Sequence, residues 1–82
     1  MKVRVLFFAS VRDLTGMDML DVELTESATI SELRSFLTTK FPAIGSMETK
    51  IAVALNEEYV LGDAKLKNGD EIALIPPVSG GK

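Results

Sequence analysis

Residues 2–8, KVRVLFF, are rich in β-branched and aromatic side chains, and this composition predicts a strand. Successive side chains of an extended chain point to opposite faces, so Val3, Val5 and Phe7 share one face and Arg4, Leu6 and Phe8 the other. Residues 9–18, ASVRDLTGMD, read as a connection with turn residues at Thr15-Gly16. Residues 19–24, MLDVEL, alternate again, with Leu20, Val22 and Leu24 inward and Asp21 and Glu23 outward. Together these runs predict a first hairpin with a long loop.

The period then changes. In TISELRSFLTTKF (29–41), Ile30, Leu33, Phe36 and Leu37 fall on one helical face. Thr29 and Glu32 have the spacing of a capping box, in which each side chain accepts from a free backbone N–H at the helix start. Pro42 blocks continuation, so the helix is expected over 30–40. Residues 50–55, KIAVAL, predict a third strand with Ile51, Val53 and Leu55 inward and a shallow outer surface at Ala52 and Ala54. NEEYV (56–60) suggests a turn and a short edge strand, and Asn68-Gly69 is a turn signal because both residues tolerate positive φ. The last strand is expected over 71–75, with Ile72 and Leu74 inward and Ala73 and Ile75 outward.

The order is two strands, one helix, two strands and a final strand. It predicts an α+β fold of the β-grasp, ubiquitin-like kind: a mixed sheet of about five strands packed on one main helix, with an extended C-terminal tail. The helix is expected to cover Val3, Val5, Phe7, Ile72 and Leu74. The long apolar runs of the first and last strands suit central positions in the sheet. We read residues 1–75 as the domain and 76–82 as the tail; there is no repeat, linker or low-complexity segment.

Composition narrows the chemistry. Eighty-two residues make one domain, and 46% hydrophobic with 26% charged residues is a globular balance. There is no cysteine and no histidine, which removes disulfides, thiol nucleophiles, thiolate metal sites and the commonest general base. Self-contained catalysis is not expected, although twelve carboxylates could serve as acids or oxygen ligands. A net charge of −3 with scattered basic residues argues against nucleic acid. The apolar run VRVLFFA is too short to span a membrane, and no signal-peptide order is present, so a cytoplasmic protein is expected.

Two features remain. Phe8, Tyr59 and Ile75 fall on the sheet face away from the helix, which one helix cannot cover. A contiguous apolar patch there would mark a contact surface; a loop folding over it is the other reading. The second feature is the end, IPPVSGGK. Pro76 and Pro77 cannot donate to a sheet and favour a stiff, extended exit. Residues 76 to 81 could reach roughly 20 Å when extended. Gly80 and Gly81 lack a Cβ and could enter a narrow channel. A frayed terminus is the plainer account.

LFFASVRDLTG, ALNEEYV and NGDEIALIPPVSGG resemble, over nearly the whole chain, the MoaD type of sulfur carrier, the small subunits of molybdopterin synthases within the MoaD/ThiS ubiquitin-like family. The resemblance implies that an ATP-using activating enzyme of the ubiquitin-activating kind (MoeB type) adenylates the carboxylate of Gly81. A sulfur donor then converts it to a thiocarboxylate. The tail, Pro76, Pro77, Val78, Ser79 and Gly80, enters the large subunit (MoaE type) and donates sulfur to cyclic pyranopterin monophosphate, making the molybdopterin dithiolene. Phe8, Tyr59 and Ile75 match the family's docking patch. The chain itself is expected to bind no cofactor or metal and to act as a non-catalytic sulfur-donating subunit in a heterotetramer. In the family the second glycine is the free end. Here Lys82 follows, and an amide at Gly81 cannot be adenylated, so activation requires removal of Lys82. Rival readings are a ubiquitin-like modifier joined to lysines through Gly81, a thiamine-pathway-type carrier, and an interaction module whose tail has no chemistry. Glu57-Glu58 beside Tyr59 could steer a basic partner or simply form a polar turn, Arg12 and Asp13 read as solvated loop charges, and Met17 and Met19 as gap fillers.

Overall fold

The computed structural model describes residues 1–45 and 50–77. Val78, Ser79, Gly80, Gly81 and Lys82 lie outside the described residues, so the expected tail is seen only at Pro76 and Pro77. The elements are β1 (Lys2–Phe7), α1 (Ala9–Thr15), β2 (Met19–Glu23), α2 (Ile30–Lys40), α3 (Pro42–Gly45), β3 (Ala52–Leu55), β4 (Glu58–Tyr59) and β5 (Glu71–Ile75). They form one sheet in the order β2-β1-β5-β3-β4. β1 and β5 run parallel at its centre; the other pairs are antiparallel. This is the mixed β-grasp sheet that the alternation predicts, with the first and last strands innermost.

The core lies between the sheet and α2. Val3, Val5 and Phe7 of β1 and Ile72 and Leu74 of β5 are buried, and Ile30, Leu33 and Leu37 of α2 close over them. α2 begins where the capping box places it. Thr29 Oγ1 accepts from the Glu32 backbone N–H at 3.3 Å, and Glu32 Oε1 accepts from the Thr29 N–H at 3.0 Å. Two donors otherwise orphaned at the helix start are thereby satisfied. At the far end Phe41 sets its ring edge-on to Phe7, with centroids 6.0 Å apart.

The structure departs from the sequence reading at several points. Residues 9–15 form a helix rather than a loop: Val11 is fully buried under the sheet, and Gly16, at φ 76, closes α1 in a left-handed C-cap. Phe36 is 41% exposed, because burial of Ile30, Leu33 and Leu37 turns its side of α2 to the rim of the core. Pro42 ends α2 and also opens α3, where the missing N–H of a first helical residue is no loss. Ala54 faces outward by alternation, yet it is only 6% exposed. Met17 packs against the core as a gap filler, whereas Met19 is 49% exposed. Arg12 and Asp13 lie on α1, and Arg12 Nε sits 3.8 Å from Asp18 Oδ1 with both side chains exposed.

Candidate functional site

The sheet face away from α2 carries the site. Leu6 pairs in register with Ala73, Ala73 with Ala54, and Ala54 with Tyr59, so these four residues form a row across β1, β5, β3 and β4. The alanines are short and make a low floor. Phe8, Tyr59, Leu6 and Ile75 stand around it, and the result is an apolar groove of about 260 Å³. Phe8 is 45% exposed and Tyr59 71%, while Ile75 is half-buried. Phe8, Tyr59 and Ile75, expected on this face, thus line one groove. Among the described residues no loop covers it.

Each wall has a local cause. Phe8 is extended (φ −116, ψ 150), which continues the alternation of β1 by one residue and keeps its side chain on the Leu6 face. The chain then turns sharply at Ala9 (φ 48), and the Phe8 carbonyl accepts from the Val11 N–H at 3.0 Å, which fixes that corner. Tyr59 is placed by the tight Asn56-Glu57 turn between β3 and β4. β5 ends at Ile75 because prolines follow; Pro76 is buried and Pro77 exposed. The chain therefore leaves the sheet at the edge of the groove. Leu6 and Glu71 also line the groove and were not among the expected contact residues, and so does Glu57, which the sequence offered either as a steering charge or as part of a polar turn. Strict alternation along KVRVLFF already places Leu6 beside Phe8; Glu57 depends on the turn geometry, which alternation does not report.

Other concavities offer less. A polar hollow beside Lys2, Arg4, Asp21 and Glu71 is lined by the solvated Arg4–Asp21 pair, 3.2 Å apart. A void of about 10 Å³ beside Thr38 has room for about one water. No cluster of metal-ligating side chains occurs among the described residues. Outside the groove, the Ser31 backbone N–H at the start of α2, and that of Ala64, hold the Asp63 carboxyl below the usual carboxylate range. The described residues that line the groove are apolar side chains with two carboxylates at the edge, a lining suited to contact. No helix among the described residues is long and apolar enough to cross a membrane.

The fold and the groove define a ubiquitin-like β-grasp domain with an apolar open face at the exit of its last strand. The chain belongs to the ThiS family, whose pattern matches residues 5–81. It is 38% identical over 80 residues to a molybdopterin synthase sulfur carrier subunit from Arabidopsis thaliana, covering 98% of this chain and 83% of that one. The protein of the same name from Chlamydomonas reinhardtii is 40% identical, with 99% of this chain and 100% of that one covered. Among solved structures, the small archaeal modifier protein SAMP1 from Haloferax volcanii superposes with a TM-score of 0.89 at 28% identity, over 99% of this chain and 100% of that one. A chain from the complex of subunits 1 and 2 of the molybdopterin-converting factor of Helicobacter pylori superposes at 0.74 with 29% identity, over 99% and 100%.

Proposed function

We propose that this chain is the sulfur-carrier small subunit of a molybdopterin synthase. The observation that carries the reading is the match along nearly the whole chain to proteins of that name. The groove beside the strand exit supports it. A carrier needs a face that holds its partner and an end that reaches the partner's chemistry, and an apolar groove beside the exit of the last strand supports such a pairing.

The end is the reacting part. The Gly81 carboxylate attacks the α-phosphorus of ATP on an activating enzyme, and pyrophosphate leaves. Sulfur delivered by a donor at the sulfide level (HS⁻) attacks the acyl carbon of the adenylate, the bond to AMP breaks and AMP leaves, and a thiocarboxylate remains. The sheet face, through Phe8, Tyr59 and Ile75, docks on a large subunit, as subunit 1 of the Helicobacter pylori factor is found in complex with subunit 2. Pro76, Pro77, Val78, Ser79 and Gly80 carry the sulfur into that subunit, where a pyranopterin precursor accepts it. With neither histidine nor cysteine in the chain, this reading assigns the acid–base chemistry of the transfer to the partner.

The test is the intact mass of a form ending at Gly81, incubated with activating enzyme, ATP and a sulfur source. Replacement of one oxygen by sulfur is expected, and the form retaining Lys82 should stay unchanged. Absence of any adenylate or sulfur adduct on the Gly81 form would sink the proposal. The likeness to a small archaeal modifier protein favours one second reading, conjugation of Gly81 to lysines of other proteins. Branched Gly81–lysine peptides in digests of cell protein would report it.

A further inference from the structure

Asn56 and Glu57 both have positive φ, 50° and 72°. They form a two-residue hairpin turn of the type in which glycine is strongly favoured at the second position. Asn tolerates such a backbone; Glu does so poorly. The turn is nevertheless held firmly. The Asn56 N–H donates to the Glu71 carbonyl at 2.8 Å, Asn56 Oδ1 accepts from the Glu71 N–H at 3.0 Å, and Asn56 Nδ2 donates to Asp70 Oδ1 at 3.0 Å. The turn is thus tied to the start of β5, and Glu57 is set at the rim of the apolar groove.

The groove's charge is one-sided. Glu57 and Glu71 are its ionisable carboxylates, and no lysine or arginine lines it among the described residues. Neither glutamate has an ion-pair partner there. Arg4 lies opposite Glu71 in register, but its guanidinium is engaged by Asp21 at 3.2 Å. An apolar floor with an unanswered carboxylate at its edge is complementary to a segment that carries apolar side chains and one cation.

We propose that Glu57 is a specificity-determining residue of the docking groove, its carboxylate pairing with an arginine or lysine side chain that the large subunit lays across the Ala54–Ala73 floor. The proposal rests on the reading of this face as the docking surface. A partner guanidinium would gain most, because its planar fork can address the carboxylate while its stem covers apolar surface.

The experiment is the association kinetics of the intact chain with its large subunit, at low and high ionic strength, for wild type, Glu57→Gln, Glu57→Lys and Phe8→Glu. Glu57→Gln keeps shape and backbone while removing charge. Its affinity at low salt is expected to fall roughly three- to tenfold, and that of Glu57→Lys more, with the difference from wild type shrinking at high salt. Thermal unfolding of both should match wild type, since the backbone constraint at residue 57 is unchanged. Wild-type binding by Glu57→Lys at every ionic strength overturns the proposal, and so does a loss that salt does not reduce. Phe8→Glu separates the two levels. If it abolishes binding while the Glu57 variants bind normally, the docking face stands and the role of Glu57 falls. If Phe8→Glu also binds normally, the docking face itself is wrong.

Discussion

Replacing Glu57 with glycine should stabilise the fold, and two opposing effects decide by how much. An L-residue held in the left-handed region costs roughly 1–2 kcal/mol, and Glu57 sits there at φ 72. Glycine removes that cost but loses more freedom on folding, which returns about 0.5–1 kcal/mol. The Glu57 side chain is exposed, so little packing is forfeited. The balance is a gain of about 0.5–1 kcal/mol, or a Tm higher by about 2–8 °C for a domain of this size. Calorimetry or urea unfolding with an unchanged m-value reads it. Gly69 is the calibrating control: it lies at φ 89 with nothing within 4 Å of an added Cβ, so Gly69→Ala should lose about 1 kcal/mol through backbone strain alone. A lower Tm for Glu57→Gly, with Gly69→Ala behaving as expected, refutes the argument. Success has a further consequence. A variant that is more stable yet docks more weakly would show a left-handed glutamate retained for its carboxylate at the expense of stability.

Three further outcomes are expected. Thr29→Ala removes the hydroxyl half of the α2 capping box and should lower stability by about 1 kcal/mol in chemical denaturation; an unchanged midpoint contradicts the cap's role. Thr38→Val should raise stability by up to about 1 kcal/mol, because the buried Thr38 hydroxyl has no hydrogen-bond partner among the described residues and valine keeps its shape; a loss would instead reveal a bridging water. Asp63 titrates below its unfolded value, so its contribution is present above about pH 4 and disappears as pH falls through the lowered folded value. The stability advantage of wild type over Asp63→Asn should therefore narrow on acidification below about pH 4, and an advantage constant across that range in pH-dependent urea melts would count against the Ser31 contact.

The strands and α2 were legible because their signals are local and periodic. Alternation in KVRVLFF and EIALI, and the Thr29–Glu32 spacing, each report a single physical preference that tertiary packing reinforces. α1 was not legible for a matching reason. Phe8 provides no side-chain cap, the helix is only seven residues long, and one buried residue, Val11, anchors it. Its only clear signal, Gly16, marks a turn as readily as a C-cap. Phe36 fits the helical period yet lies at the edge of the sheet's cover, a distinction that spacing does not carry. Ala54 was placed on the correct face, but its burial is not reported by alternation; it sits between Tyr59 and Ala73 in register across two strand pairings. The groove was legible as three apolar residues on a face left open; its acidic rim was legible only as the open choice between a steering charge and a polar turn at Glu57-Glu58, because Glu57 reaches the groove through an unusual turn and Glu71 lies on a neighbouring strand.

β5 joins these parts. Its five residues divide by alternation between two tasks: Ile72 and Leu74 anchor the core, while Ala73 and Ile75 build the groove. Pro76 is buried directly after them. The point at which the chain leaves the sheet is therefore set by the same strand that fills the core, and it cannot shift without exposing Leu74. On the proposed reading, a partner seated on Ala73 and Ile75 would meet the root of the tail at a fixed place, and an extended reach of roughly 20 Å from residue 76 to residue 81 would be measured from there. On the same reading, a chain with neither histidine nor cysteine would still determine where a reaction occurs: the core fixes β5, β5 fixes the groove and the exit together, and a partner's grip on one would deliver the other.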